Sequence, residues 1–147
     1  MPGRTRRQRS TFLLSAERPG VRMQIVVTKG DRDGLAFFSC AVGEGVGRWM
    51  GSPPSQGEWS VELELPTVPW SRISVVDKAV GISVADPARC AVSLVALVEA
   101  CSSDGVVALR LGDGVTLVDT EGEPALGVVG KTIEFEAAGV RLFPYNI

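Results

Sequence analysis

Apolar and polar residues alternate with period two along much of the chain, and that period predicts strands rather than helices. The clearest case covers residues 59–65. Trp59, Val61, Leu63 and Leu65 alternate with Ser60, Glu62 and Glu64, which places the apolar set on one face and the carboxylates in water. Pro66 and Pro69 end this strand, since proline cannot donate to a ladder. Ahead of it, Gln24 to Thr28 is a short β-branched run and Leu35 to Val42 is a second apolar run. Lys29-Gly30-Asp31-Arg32-Asp33-Gly34 supplies turn chemistry between them, so the pair predicts an N-terminal hairpin. Gly43 to Gly57 is rich in glycine, carries two prolines, and reads as loop with Arg48-Trp49-Met50 in its middle. Further strands are expected over Arg72 to Val76 and Val80 to Ala85.

Residues 86–101 are ambiguous. Asp86 at an N-cap and Pro87 at the first helical position are helix-start signals. Cys90 to Cys101 is apolar on both faces, so periodicity does not decide. Val92, Val95 and Val98 favour strand, whereas Ala88, Ala91, Ala96 and Ala100 favour helix. The neighbouring segment tips the balance to strand, with helix over 87–101 as the alternative. Ser102-Ser103-Asp104-Gly105 is hairpin-turn chemistry, and Val106 to Leu111 reads as the return strand. A long strand apolar on both sides suits the centre of a closed or strongly curled sheet.

From there a meander is expected. Gly112-Asp113-Gly114 turns into Val115–Val118, and Glu121-Gly122-Glu123-Pro124 is another turn. Val128-Val129-Gly130 leads into Lys131 to Glu136, and Ala138-Gly139 returns the chain into Val140 to Phe143. Many short strands spaced by glycine turns predict an all-β fold. We expect a small OB-like barrel or curled antiparallel sheet with an added N-terminal hairpin, forming one domain over residues 23–147.

Composition narrows the function classes. The 147-residue chain has no histidine, which removes the commonest general base near neutral pH and the commonest metal ligand. Its net charge of −2 hides an asymmetry. Residues 1–22 carry six arginines (Arg4, Arg6, Arg7, Arg9, Arg18, Arg22) against Glu17 alone, net +5, which leaves residues 23–147 at −7. An acidic body repels phosphate backbones and disfavours nucleic acid as the main partner. Residues 1–22 read as a disordered basic tail, because no core-building pattern precedes Val21. Phe12-Leu13-Leu14 is too short for a signal-peptide core, and no hydrophobic segment follows Arg6-Arg7 as a twin-arginine signal requires. Met23 opens the first strand, so either Met1 or Met23 serves as the start. No run approaches the roughly 18 apolar residues of a membrane span. Cys40, Cys90 and Cys101 are odd in number and lack C-x-x-C spacing, so they read as reduced thiols of a cytoplasmic protein, with neither a disulfide framework nor a zinc site.

Candidate chemistry is sparse. Gly43-Glu44-Gly45-Val46-Gly47-Arg48 lacks the Gly-Lys-Ser/Thr of a P-loop and the third glycine of a dinucleotide fingerprint. Asp31-Arg32-Asp33-Gly34 has the carboxylate spacing of a calcium loop, but Val42 stands where the bidentate Glu is needed. Glu62/Glu64 and Glu134/Glu136 read as solvated outer faces of strands rather than paired catalytic acids. A Cys–His pair is impossible within one chain, and no S-x-x-K motif places Lys29, Lys78 or Lys131 for serine chemistry. No catalytic residue, metal site or cofactor is therefore assigned. Trp59 and Phe135 sit in core register. Arg48, Trp49 and Met50 in the glycine loop, and Trp70 after two prolines, are the candidate partner-binding residues, since exposed Trp and Arg are typical interface anchors. The alternative is that they fold back and cap the barrel.

Residues 97–113, with Leu97-Val98-Glu99-Ala100 and Asp104 to Asp113, closed by Val140-Arg141-Leu142-Phe143-Pro144-Tyr145, resemble small uncharacterised bacterial proteins. Those look OB-like, and some resemble the immunity proteins of toxin systems. The likeness covers about half the chain and implies fold more than activity, so no functional residue is carried over. Together with the missing histidine and the acidic body, it leads us to expect a non-catalytic, immunity-like binding protein that meets a protein partner through an acidic surface, which suits a basic partner. The alternatives are an OB-type single-strand nucleic-acid binder using the aromatics and the basic tail, and a structural or assembly subunit pairing through sheet edges.

Overall fold

The computed structural model describes residues 22–31 and 33–145, so the expected basic tail, apart from Arg22, lies outside the described residues. The described chain is built from twelve strands and contains no α-helix. The first four are β1 (Met23–Gly30), β2 (Leu35–Cys40), β3 (Gly43–Trp49) and β4 (Gly57–Glu64). They are followed by β5 (Val68–Pro69), β6 (Ser74–Val76), β7 (Gly81–Asp86), β8 (Ala91–Cys101), β9 (Val106–Leu111), β10 (Gly114–Glu121), β11 (Thr132–Ala137) and β12 (Arg141–Pro144).

Five of these close into a ring. β1 pairs antiparallel with β2 and β4, and β2 pairs antiparallel with β3. β12 then runs antiparallel to β4 and parallel to β3, with Leu142 opposite both Leu63 and Trp49. The fold is thus all-β and OB-like, and the N-terminal hairpin supplies two of the five staves. The alternation read in the sequence is the alternation of the barrel wall: Met23, Ile25 and Val27 of β1 and Val61 and Leu63 of β4 point inward and are buried.

The remaining strands are inserted between β4 and β12. β7 touches the ring through a single parallel bridge, Gly43 to Ile82 of β3 and β7. β8 is the long central strand of this second region. It pairs with β7 over residues 91–95, with β11 over 92–97 and with β9 over 97–101. One face, Val92, Leu94, Ala96 and Val98, is fully buried, while Ser93, Val95 and Leu97 on the other face are half-buried and Glu99 is exposed. β8, β9 and β10 form the expected meander. β11 does not continue it, but returns to the other end of the insert to pair with β8 and β6. β12 likewise does not fold back on β11; it crosses to the barrel and shuts it. The main core runs from Met23 to Leu142 through both regions, and Val106, Ala108, Val115 and Leu117 of β9 and β10 form a smaller, separate cluster. The buried Thr116 hydroxyl of β10 donates to the Leu63 carbonyl of β4 at 2.7 Å, tying the insert to the ring.

The glycine-rich segment is the main correction. Residues 43–49 are a strand, not a loop, and their glycines serve packing. The Phe38 ring lies where a side chain at Gly45 would stand, and Leu142 and Val140 crowd the same position at Gly47. The helix-start signal at Asp86-Pro87 is real but short. The Asp86 carboxylate accepts the Ala88 amide at 3.1 Å and opens one 3₁₀ turn, Pro87–Arg89. Cys90 then takes a left-handed conformation (φ 49°), and β8 begins.

Candidate functional site

The four residues expected to anchor a partner do not form one exposed patch. Trp49 is 5% exposed inside the barrel, stacked edge-on against Trp59 at 5.0 Å. Trp70 is 8% exposed, and its indole N–H donates to the Thr120 hydroxyl at 3.0 Å. Both tryptophans fold back and pack, because a two-ring apolar surface gains more from burial than from water. Met50 is half-buried. Arg48 alone of the four stands exposed, with Nη1 donating to the Asp33 carbonyl at 2.9 Å. The outward carboxylates of the strands are also less solvated than alternation suggested. Glu134 pairs with Lys78 at 2.8 Å, and Glu64 is half-buried 3.8 Å from Arg141.

A different segment is presented instead. The last residue of β10 and the link to β11, residues 121–131, carry Leu126 at 98% exposure and Val129 at 55%. The segment is pinned at both ends. Val128 inserts into the core, and the backbone of Gly130 and Lys131 bonds to Val98 at 2.8 and 2.9 Å. At the other end, β5 pairs with Thr120 and Glu121, and Trp70 holds Thr120. Trp70 thus positions this loop rather than touching a partner. Glu121 and Glu123 are exposed on the same stretch of chain, three to five residues before the leucine, so the segment is apolar and acidic together. One sequence signal could have found it: a leucine between Pro124 and Gly127 fits no strand period and has no core to face.

Burial disfavours the thiolate form of Cys90 and Cys101. Burial pushes the Cys90 thiol up, only partly offset by the Arg48 charge, with Asp31 adding to the rise; burial alone raises Cys101. Among the described residues, no group of three or more Cys, Asp or Glu is placed to hold a metal ion, and no helix is long and apolar enough to cross a membrane.

The class defined by this architecture is an OB-like barrel carrying a large strand insert between its fourth and fifth staves. Compared with protein families, curated proteins and solved structures, the chain matches none.

Proposed function

We propose that this chain is a non-catalytic, immunity-like binding protein that takes a protein partner on the loop of residues 121–131. The observation that carries this is Leu126. A leucine left almost wholly in water on a loop tied to the core at both ends has no packing purpose in this chain, and it has the form of an anchor for a partner's apolar pocket. Glu121 and Glu123 on the same stretch of chain, in a body of net −7 over residues 23–147, favour a pocket rimmed by basic side chains. The OB-type nucleic-acid reading has less support. The outer surface of β2 and β3 offers the half-buried Phe37 ring, with the Lys29 ammonium 5.9 Å from its centre, but also Glu44.

The test compares the wild-type chain with Leu126→Asp, and with Glu121→Lys/Glu123→Lys, as baits in the native extract. A protein captured by the wild type, lost with Leu126→Asp and weakened by raised salt supports the proposal. Equal capture by all three baits refutes it. Nucleic acid as the captured species would favour the barrel face, and a concentration-dependent mass without partner would favour self-assembly.

A further inference from the structure

A second site, independent of that loop, lies where the barrel seam meets the start of β8. Three arginines from three elements line one cavity of about 240 Å³: Arg48 at the end of β3, Arg89 in the 3₁₀ turn, and Arg141 at the start of β12. Arg89 also lines an adjoining groove of about 620 Å³, whose wall includes Arg72 and the prolines Pro66 and Pro69.

Three features set this cavity apart on an otherwise acidic body. First, Arg48 and Arg141 are direct cross-strand partners on the seam that closes the barrel. Like charges placed opposite one another cost stability; the Glu64 carboxylate 3.8 Å from Arg141 offsets part of that cost, and a bound anion would offset more. Second, among the described residues only Arg48 of the three commits a fork donor to a hydrogen bond, Nη1 to the Asp33 carbonyl at 2.9 Å, and the carboxylates near the other two are held loosely. Arg89 stands 3.9 Å from Asp86 and 3.7 Å from Glu136, and Arg141 stands 3.8 Å from Glu64, all too long for hydrogen bonds. Arg110, outside the cavity, is by contrast hydrogen-bonded to Glu99. Third, among the described residues Cys90 is the one non-glycine with positive φ, and it forms part of the cavity lining. Strained backbone of this kind gathers at ligand clamps.

The floor is also firm. Gly139 donates to the Arg89 carbonyl at 2.9 Å, Val140 to Cys90 at 3.1 Å, and Arg48 to Val140 at 2.8 Å, so all three arginine-bearing elements are stitched together by backbone bonds. A side chain at Gly139 would meet nothing within 4 Å, which leaves the mouth open.

We propose that this cavity binds the phosphoryl group of a small phosphomonoester, with the organic part lying along the adjoining proline-walled groove. Planar guanidinium forks match phosphate oxygens. Forks arriving from three separate elements suit a tetrahedral dianion better than a flat carboxylate with two oxygens.

The test is a titration of the full chain with inorganic phosphate at pH 7.5, followed in ¹⁵N–¹H spectra of backbone and arginine side chains. Saturable shifts are expected at Nε of Arg48, Arg89 and Arg141 and at the amides of Cys90 and Gly139, with Arg110 unmoved. Arg48→Gln and Arg89→Gln should each weaken binding about tenfold or more, and Arg110→Gln should leave it unchanged. Preserved spectral dispersion separates a lost site from a lost fold. Arg48→Lys, which keeps the charge but not the fork, is the second variant and should weaken binding several-fold. Lowering the pH to 5.5 turns the dianion into a monoanion and should weaken binding as well. Shifts that never saturate or that include Arg110, unchanged affinity in Arg48→Gln and Arg89→Gln, or acetate binding as tightly as phosphate would each overturn the proposal.

Discussion

Gly45→Ala tests the packing that makes residues 43–49 a strand. Gly45 lies in mid-β3 directly across from Phe38, and its own φ is not left-handed, so alanine meets no backbone obstacle. The obstacle is the ring. A methyl carbon at Gly45 would stand 2.4 Å from Cζ of Phe38 and 2.9 and 3.0 Å from its two Cε atoms, against an ordinary carbon–carbon contact of about 3.5–4.0 Å. Phe38 is 1% exposed and has no free space to swing into. Overpacking of this kind costs roughly 1–3 kcal/mol, and an overlap of more than 1 Å belongs near the upper end. Removing a glycine returns about 0.4–1 kcal/mol through the unfolded chain, so the net loss should be about 2 kcal/mol. With a urea m-value of roughly 1.5 kcal/mol/M, the unfolding midpoint should fall by about 1.3 M. The control is Phe38→Leu, which removes the clashing atoms and costs about 1–2 kcal/mol by itself. In that background Gly45→Ala should be close to neutral, giving a coupling energy near 2 kcal/mol. Equilibrium urea melts of the four proteins measure it. A Gly45→Ala midpoint equal to wild type, or the same penalty in both backgrounds, would show that the ring does not dictate this glycine.

Two further outcomes follow from the same structure. Trp70→Phe loses both the indole donor to Thr120 and one ring of the buried two-ring surface, and should cost about 2–3 kcal/mol in urea melts; no loss would mean that neither the bond nor the packing of Trp70 stabilises the fold. Burial raises the pKa of Cys90 and Cys101 above the ordinary value of 9.0, so the unfolded thiols release their protons first as pH rises. Their contribution is therefore intact below about pH 9 and is lost above it. Under reducing conditions, stability should fall from about pH 8 to about pH 10, and fall less in Cys101→Ala; parallel slopes in the two proteins would refute the assignment.

Most strands were legible because each has a local cause. Residues 59–65 alternate, Ser102 to Gly105 turn, and Ala91–Cys101 buries Val92, Leu94, Ala96 and Val98 on one face while Val95 and Leu97 on the other are half-buried. What was illegible depends on distant partners. Nothing near Gly45 announces the Phe38 ring, so a packing glycine looks like a loop glycine. Asp86 and Pro87 do start a helical turn, but the left-handed Cys90 ends it after three residues, and no residue type there forecasts that φ. Ala138-Gly139 was readable as a turn, whereas the choice of β3 and β4 as partners for β12 is made by surfaces more than seventy residues upstream. The candidate anchors failed for a related reason: tryptophan in a glycine- or proline-rich segment looks exposed until the fold supplies a pocket for it. Both proposed sites join residues that are far apart in sequence or break the alternation, and hydropathy patterning registers neither.

The placement of β12 has a consequence for how the molecule assembles. β4 ends at Glu64 and its ring partner begins at Arg141, so 76 intervening residues must be made before the two can meet. Until then, β3 and β4 each present a bare row of amides and carbonyls, a standing invitation to pair with the wrong chain. Renaturation should therefore show an early phase as the hairpins form and a slow, concentration-sensitive one as the seam is zipped.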